Sequence, residues 1–484
     1  MPQTSVDPRH RKACVIGSGP NGLAAAIMLA QAGLDVEVFE AEREIGGAAR
    51  TLELTLPGFR HDFGSAVHPF AAGSPFFSSL PLADYGLEWL HSPATLAHPF
   101  DDGTAITLDR DLREAASSLG EDGPAWRHLM QPLATRWPDL APELLRPILA
   151  FPKHPLLLAR FGLNALLPAT TVARRFRTEP ARALFAGLAA HSFMALDQPL
   201  TASFGLVLGA VAHAVGWPIP RGGAQSLANA LAAHLAHLGG RITTSTRIHS
   251  LADLPTCDLT LCDITPRQLL ALAGQSGPNR LTSRYRSQLA AYKYGPAAFK
   301  VDYALSRPIP WNAPACLRAA TVHLGGTLTE IAASEAAMAS GQHSDKPFVL
   351  LAQPTLFDAT RAPAGKHIAW AYCHVPNGSS ESEATLERLE SQIERFAAGF
   401  RSTILARHVF SPVALEAMDA NLVGGDIGGG AFNLRQLLFR PTRRQYRTSA
   451  PDLYLCSSST PPGGGVHGMC GANAARLALR RLRQ

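Results

Sequence analysis

Apolar positions change their rhythm along this chain, and the rhythm divides it. Ala13-Cys14-Val15-Ile16 is a short apolar run of buried-strand type. A glycine turn follows, then small apolar residues from Leu23 to Ala30 that predict a helix, and Val36-Glu37-Val38-Phe39 returns as a second strand. After His68-Pro69 that alternation is lost. From Phe76 to Val215 the chain is rich in Leu, Ala and Pro and predicts a mainly helical insertion, with a helix over Ala181 to Ala195 and a buried one within Leu200 to Pro220 that borders a lipid-sized cavity. The first rhythm resumes at Arg221-Gly222-Gly223, a turn opening a helix to Leu238, which Gly239-Gly240 ends as glycine does past a C-cap. Arg241 to Ile248 and Leu259 to Asp263 read as strands, and Thr265-Pro266 starts a helix. Four further stretches have strand character: Tyr294 to Leu305, Thr321 to Thr327, Pro347 to Pro354 and Ala369 to Pro376. Together they predict an antiparallel sheet as the floor of a substrate site. Leu453 to Cys456 is the final strand, before a helix through Ala472, Ala475 and Leu479.

Composition narrows the class. With 484 residues, 46% of them hydrophobic, the chain exceeds one ordinary domain and can bury a large core. The net charge of +6 comes from scattered arginines and not from a block that would track a nucleic acid. Arg174-Arg175 and Arg443-Arg444 are the cationic pairs available to acidic lipid, though solvated faces are the commoner fate of such pairs. Seven cysteines without a CxxC or Cys/His spacing argue against a disulfide framework and against a zinc site, and suit a reducing compartment. Residues 1–12 contain no apolar leader, so a cytoplasmic protein is expected, with peripheral membrane contact left open.

The candidate chemistry begins at the first turn. Gly17-Ser18-Gly19-Pro20-Asn21-Gly22 is GxGxxG between a strand and a helix, the context the motif requires. Gly17 permits the tight turn, Gly19 lets a pyrophosphate approach the backbone, and Gly22 lets the helix pack on the strand. Glu40, roughly twenty residues on, is placed for a ribose hydroxyl pair. Near the other end, Gly424-Gly425-Asp426-Ile427-Gly428-Gly429-Gly430 is too glycine-rich for regular structure and suggests backbone close to a ligand or to another segment. Lys300 is a lone lysine among the apolar residues of its strand, where a lysine ordinarily snorkels to solvent. His323 and His374 are treated as structural histidines and given no chemistry.

From Ala41 the chain runs Glu42-Arg43-Glu44-Ile45-Gly46-Gly47-Ala48-Ala49-Arg50, and Pro57 to Ser65 follows. With the glycine turn, these residues resemble the flavin-dependent amine oxidase and phytoene desaturase superfamily, and the strings Ala369 to Gly378 and Cys456 to Ala475 look most like its phytoene desaturase-related branch. The resemblance implies an α/β fold: a Rossmann-type, glutathione reductase-like FAD-binding domain from residues 1–75, 215–290 and 420–484, interleaved with an α+β substrate domain from 76–214 and 291–419. It places Gly17, Gly19, Pro20, Asn21, Gly22, Glu40, Ala41, Arg43, Gly46, Gly47, Arg50, Ser65, Ile248, Gly465, Val466 and Gly468 around FAD. It gives Lys300 a water at flavin N5, and the catalytic candidates are Lys300 and His467, the latter either a flavin neighbour or a helix cap. Ser457, Ser458 and Pro461 depart from that branch's Gly-Ala-x-Thr-His pattern. The implied function is FAD-dependent, desaturase-like hydride transfer from an apolar polyene, isoprenoid or acyl substrate. Without a second GxGxxG for NAD(P), electrons are expected to leave to oxygen or a quinone. The alternatives are a redox-neutral double-bond isomerase, an amine oxidase needing an aromatic cage that the sequence does not locate, and a noncatalytic FAD-fold lipid-binding or scaffold protein.

Overall fold

The computed structural model describes residues 11–274 and 280–483; most of the polar lead, residues 1–10, lies outside them. Lys12–Ile16 pairs in parallel with Asp35–Phe39 on one side and with Leu259–Cys262 on the other. Leu453–Leu455 and Arg241–Thr243 complete a five-stranded sheet in the order 453–455, 259–262, 12–16, 35–39, 241–243. A parallel sheet must be covered on both faces. Helix Pro20–Gln31 does much of this, packing on Gln225–His237 and on the last helix, Met469–Leu482. Its row of alanines is buried almost all round, and Gly471 lets the last helix press on it, since a Cβ there would stand 1.8 Å from the Asn21 carbonyl oxygen.

Seven strands make the second sheet, in the order 404–410, 297–305, 367–375, 349–352, 319–324, 94–99, 105–108. All neighbours are antiparallel except 319–324 with 94–99. Side chains alternate across it. Phe299, Val301, Tyr303 and Leu305 join Leu389, Ile393 and Phe396 of helix Ser382–Phe396 in one core, whereas Ala298, Lys300 and Asp302 point to the opposite face. That face looks toward helices Glu179–Ala190 and Thr201–Ala214.

Two sequence readings are corrected here. The insertion after Phe76 is helical from Leu112 onward but also supplies strands Ala94–Pro99 and Ala105–Leu108, turned by Asp101-Asp102-Gly103, where the Phe100 N–H donates to Thr104 O (2.9 Å). The strand expected over Arg241 to Ile248 stops at Thr243 because Ser245 takes φ +54° and the Thr246 N–H turns back to Glu40 O (2.8 Å).

Candidate active site

Where the parallel strands end, a cavity of about 700 Å³ opens and runs to the inward face of the seven-stranded sheet. That volume is in the range of a cofactor or substrate pocket. At its nucleotide end Gly17 has φ +95° and donates its N–H to Phe39 O (2.8 Å), closing the turn. Gly22 sits so close beneath it that a Cβ would stand 2.1 Å from Gly17 O. Gly19 caps the helix with no side chain of its own, Pro20 follows, and the buried Asn21 Oδ1 has no protein partner. A helix start walled by glycine backbone suits a phosphate.

Glu40 is held rather than free. Its Oε2 accepts from Ser18 N (2.8 Å) and Ser18 Oγ (2.6 Å), and its Oε1 from Glu42 N (2.9 Å). One acceptor site on Oε1 is left for a ribose hydroxyl. The residues at this end therefore fit the dinucleotide half of FAD.

Most of the expected cofactor residues line this cavity: Gly17, Gly19, Pro20, Asn21, Glu40, Ala41, Gly47, Arg50, Ser65, Ile248, Gly465 and Val466. Gly22, Gly46 and Gly468 lie behind that wall and shape it; Gly46 donates its N–H to Ser18 O (3.1 Å), and Gly468, at φ +68°, starts the last helix. Arg43 is exposed and stands outside the lining. Arg50 is buried over the Phe63 ring, with Nε on Gly47 O (2.7 Å) and Nη2 on Met418 O (3.0 Å), so much of its donor capacity orders the loop. His467 lies outside the lining: its Nδ1 accepts the Met469 N–H (3.0 Å) at the start of the last helix, it packs behind Gly465, and burial pushes its pKa down to about 4.

Lys300 is only 3% exposed, so it does not snorkel. It lines the cavity, pairs with Asp302, and has its Nζ 5.3 Å from the Phe410 ring centroid and 5.7 Å from that of Trp370. Burial drives both partners toward neutrality, lowering Lys300 and lifting Asp302 to about 6, while their mutual attraction opposes it. Behind them Asp62 and Arg361 form a second buried pair (2.8 Å), and Asp62 Oδ1 also accepts from Thr51 Oγ1 and Ala224 N, both at 2.8 Å. This ties the loop after the glycine turn to the substrate sheet and to the next helix.

Register sets the rest of the wall. Lys300 lies opposite Tyr372, Tyr372 opposite Leu350, and Leu350 opposite His323. Trp370 and Tyr372 meet edge to face (5.1 Å) and Phe193 stacks on Tyr372 (6.3 Å); all three line the cavity. The hydroxyls of Thr321 and Ser192 and the indole Nε1 of Trp370 are buried there without protein partners. His323 and His374 sit one layer back, His323 Nε2 against His191 Nε2 (3.2 Å) and His374 Nδ1 against Glu335 (2.7 Å). Their partners are side chains, not the backbone groups usual for structural histidines.

Three features escaped the sequence reading. Asp263 closes the helix start: its Oδ2 accepts the Gly22 N–H (2.8 Å), and burial, then the charges of Asp419 and Glu40, lift it to about 7. Asp302 was legible as the same-face neighbour of Lys300, two residues on. The glycine run is braced by Arg440, whose Nη2 donates to Gly428 O (3.0 Å) and Gly430 O (3.1 Å), and by the Tyr292 hydroxyl on Gly429 O (2.7 Å); all three glycines line the cavity.

Residues 15–79 match the family model of an NAD(P)-binding Rossmann-like domain. Pyridine nucleotide-disulfide oxidoreductase domain-containing protein 2 of Mus musculus is 28% identical, over 97% of this chain and 94% of its own. Phytoene desaturase (lycopene-forming) of Pseudescherichia vulneris is 24% identical, over 97% of this chain and 99% of its own. A solved putrescine oxidase variant shares the fold with a TM-score of 0.63 at 15% identity, covering 98% of this chain and 99% of that one. The chain is thus similar over nearly its whole length to a phytoene desaturase, has the fold of a putrescine oxidase, and is an FAD-dependent oxidoreductase.

Proposed function

We propose that the chain oxidises an apolar substrate of polyene, isoprenoid or acyl type by a desaturase-like hydride transfer. FAD, when bound, supplies the two-electron acceptor at N5. The glycine turn, Asn21 and Glu40 would hold its nucleotide half, while Gly47, Arg50 and the braced run Gly428 to Gly430 would shape the loop beside it. Lys300 presents a buried cation to the reacting end of the cavity, where negative charge is stabilised most strongly because water is excluded. Asp302 orients that side chain, and its charge opposes the loss of the lysine's proton. Apolar walls from helix Thr201–Ala214, Phe204 and Leu208 among them, exclude water and accept a greasy chain.

Lys300 is the observation that carries this reading: a buried, ion-paired ammonium on the wall of a largely apolar chamber continuous with the glycine-turn helix. Three partnerless polar groups, Thr321 Oγ1, Ser192 Oγ and Trp370 Nε1, favour a substrate that carries an oxygen on its apolar frame over a pure hydrocarbon. An oxygen or quinone acceptor, and peripheral contact with a membrane that stores the substrate, belong to the same proposal. Among the described residues no helix is long and apolar enough to cross a membrane. The amine oxidase reading gains one point, since Trp370 and Tyr372 supply an aromatic pair on the cavity wall. Anaerobic mixing with isoprenoid alcohols, fatty acyl compounds and primary amines separates the two by which class bleaches the bound flavin. Lys300→Met is expected to slow that bleaching by more than about tenfold while FAD stays bound. Unchanged rates would remove Lys300 from the reaction.

A further inference from the structure

Of the large hydrophobic side chains exposed by more than a third among the described residues, more than half fall between residues 148 and 166: Ile148, Leu149, Phe151, Leu156, Leu163 and Leu166, with Phe151 at 91% and Leu156 at 86%. Helix Pro155–Ala165 explains the arrangement. It buries Leu157, Phe161 and Ala165 and turns Leu156, Ala159 and Leu163 outward, with Leu166 continuing that face at its end. An amphipathic helix normally gives water its polar face; this one gives water leucines. So many exposed large apolar side chains within one short stretch mark an interaction surface.

Charge identifies the partner. Residues 144–178 contain Arg146, Lys153, Arg160, Arg174, Arg175 and Arg177 and no Asp or Glu; without these six the chain has 38 Lys and Arg against 38 Asp and Glu. Outside that stretch basic and acidic residues balance, so the neighbourhood of the exposed apolar patch is the basic part of the chain. Arg146 is taken up by Glu143 and Arg177 lies 3.7 Å from Glu121, which leaves Lys153, Arg160, Arg174 and Arg175 exposed beside the leucines. Long basic side chains over an apolar face can reach phosphate while their stems stay with the acyl chains.

We infer that residues 148–166 form a monotopic docking face for an anionic phospholipid bilayer, with Phe151, Leu156, Leu163 and Leu166 inserted and Lys153, Arg160, Arg174 and Arg175 on the headgroups. The face adjoins the chamber. Phe161 and Asn164 of the patch helix share a groove with Leu206 of helix Thr201–Ala214, whose Phe204 and Leu208 line the cavity. One helix therefore separates the bilayer surface from the substrate site, a short path for a molecule dissolved in lipid. The inference supplies the surface for the membrane contact proposed above and does not rest on the reaction.

Flotation of the FAD-loaded protein tests the docking face without any substrate, so its outcome and that of the reaction are read separately. Vesicles of phosphatidylcholine containing phosphatidylglycerol should carry the wild-type chain at least about tenfold better than phosphatidylcholine alone. Phe151→Ser/Leu156→Ser/Leu163→Ser should abolish flotation, and Lys153→Glu/Arg160→Glu should erase the preference for anionic lipid, each with an unchanged visible flavin spectrum. Wild-type protein that floats with neither vesicle, or a triple serine variant that floats as well as wild type, overturns the inference. So does light scattering that shows a dimer converted to monomer by the serine variant, which would assign the face to a second copy of the chain.

Discussion

The two ends of the cavity are built by opposite means. At the nucleotide end the wall is largely backbone: Gly17, Gly19 and Gly47 leave no room for side chains, and Glu40 is fixed by N–H groups of its own neighbourhood. At the sheet end the wall is side chains: Lys300, Trp370, Tyr372 and Thr321 come from strands that pair across tens of residues, and two of their polar atoms, Thr321 Oγ1 and Trp370 Nε1, have no protein partner. A backbone wall suits a group that is always the same, such as a cofactor. Side chains with unspent hydrogen bonds suit a ligand that comes and goes and completes them only while bound.

That contrast can be broken most severely at Gly22. Gly22→Val would drive a side chain into Gly17 O, and we expect protein that is insoluble or free of FAD, scored by the flavin released on denaturation; yellow, folded Gly22→Val would show that the turn tolerates what its geometry forbids. Next is the pair that joins the two ends. Arg361→Met strands Asp62 in the interior, and removing one partner of a buried pair costs about 3–5 kcal/mol, to be read from denaturant unfolding of the holoprotein. A loss within the error of the melt would mean that Asp62 finds its compensation elsewhere.

Asp263 sharpens the comparison through pH. Its carboxyl is lifted from 3.8 to about 7 in the fold, so between those values the folded state holds a proton that the unfolded state has released. Its contribution to stability is therefore complete below the lower value and is lost as pH rises through about 7. An anionic pyrophosphate at the same helix start would favour the protonated form further. FAD affinity is expected to fall about tenfold from about pH 6 to about pH 8, the equivalent of one unit of pKa coupling, and to be flat in Asp263→Asn as followed by flavin fluorescence. A flat wild-type profile would place the pyrophosphate away from Asp263. The smallest effect belongs to the sheet end: Thr321→Val should weaken an oxygen-bearing ligand by about 1 kcal/mol and leave its hydrocarbon counterpart unchanged in equilibrium titrations of the flavin spectrum.

The same contrast explains what could be read from the sequence. Residues 13–65 carry the nucleotide end almost alone, because turn, helix start and acid follow one another along the chain, and strand Lys12–Ile16, helix Pro20–Gln31 and strand Asp35–Phe39 fall close to where the hydrophobic rhythm puts them. Lys300 stood out as a single cation in an apolar strand. Asp263 did not, since it acts on Gly22 across 241 residues and only the parallel pairing of its strand with Lys12–Ile16 brings it there. Trp370 and Tyr372 show the same limit: their alternation revealed a strand, but which face looked into the cavity depended on pairing with Lys300 and Leu350. The bond from Met469 N to His467 is local, yet no spacing rule announces it.

The account stands on one FAD spanning from the glycine turn to the Lys300 wall. Its most direct test is the cofactor content of the purified, folded chain, measured by the visible spectrum and by identification of the nucleotide released on denaturation, in wild type and in Lys300→Met. Equimolar FAD in both is the predicted result; folded wild-type protein that carries no flavin, or a nicotinamide nucleotide in its place, would contradict it.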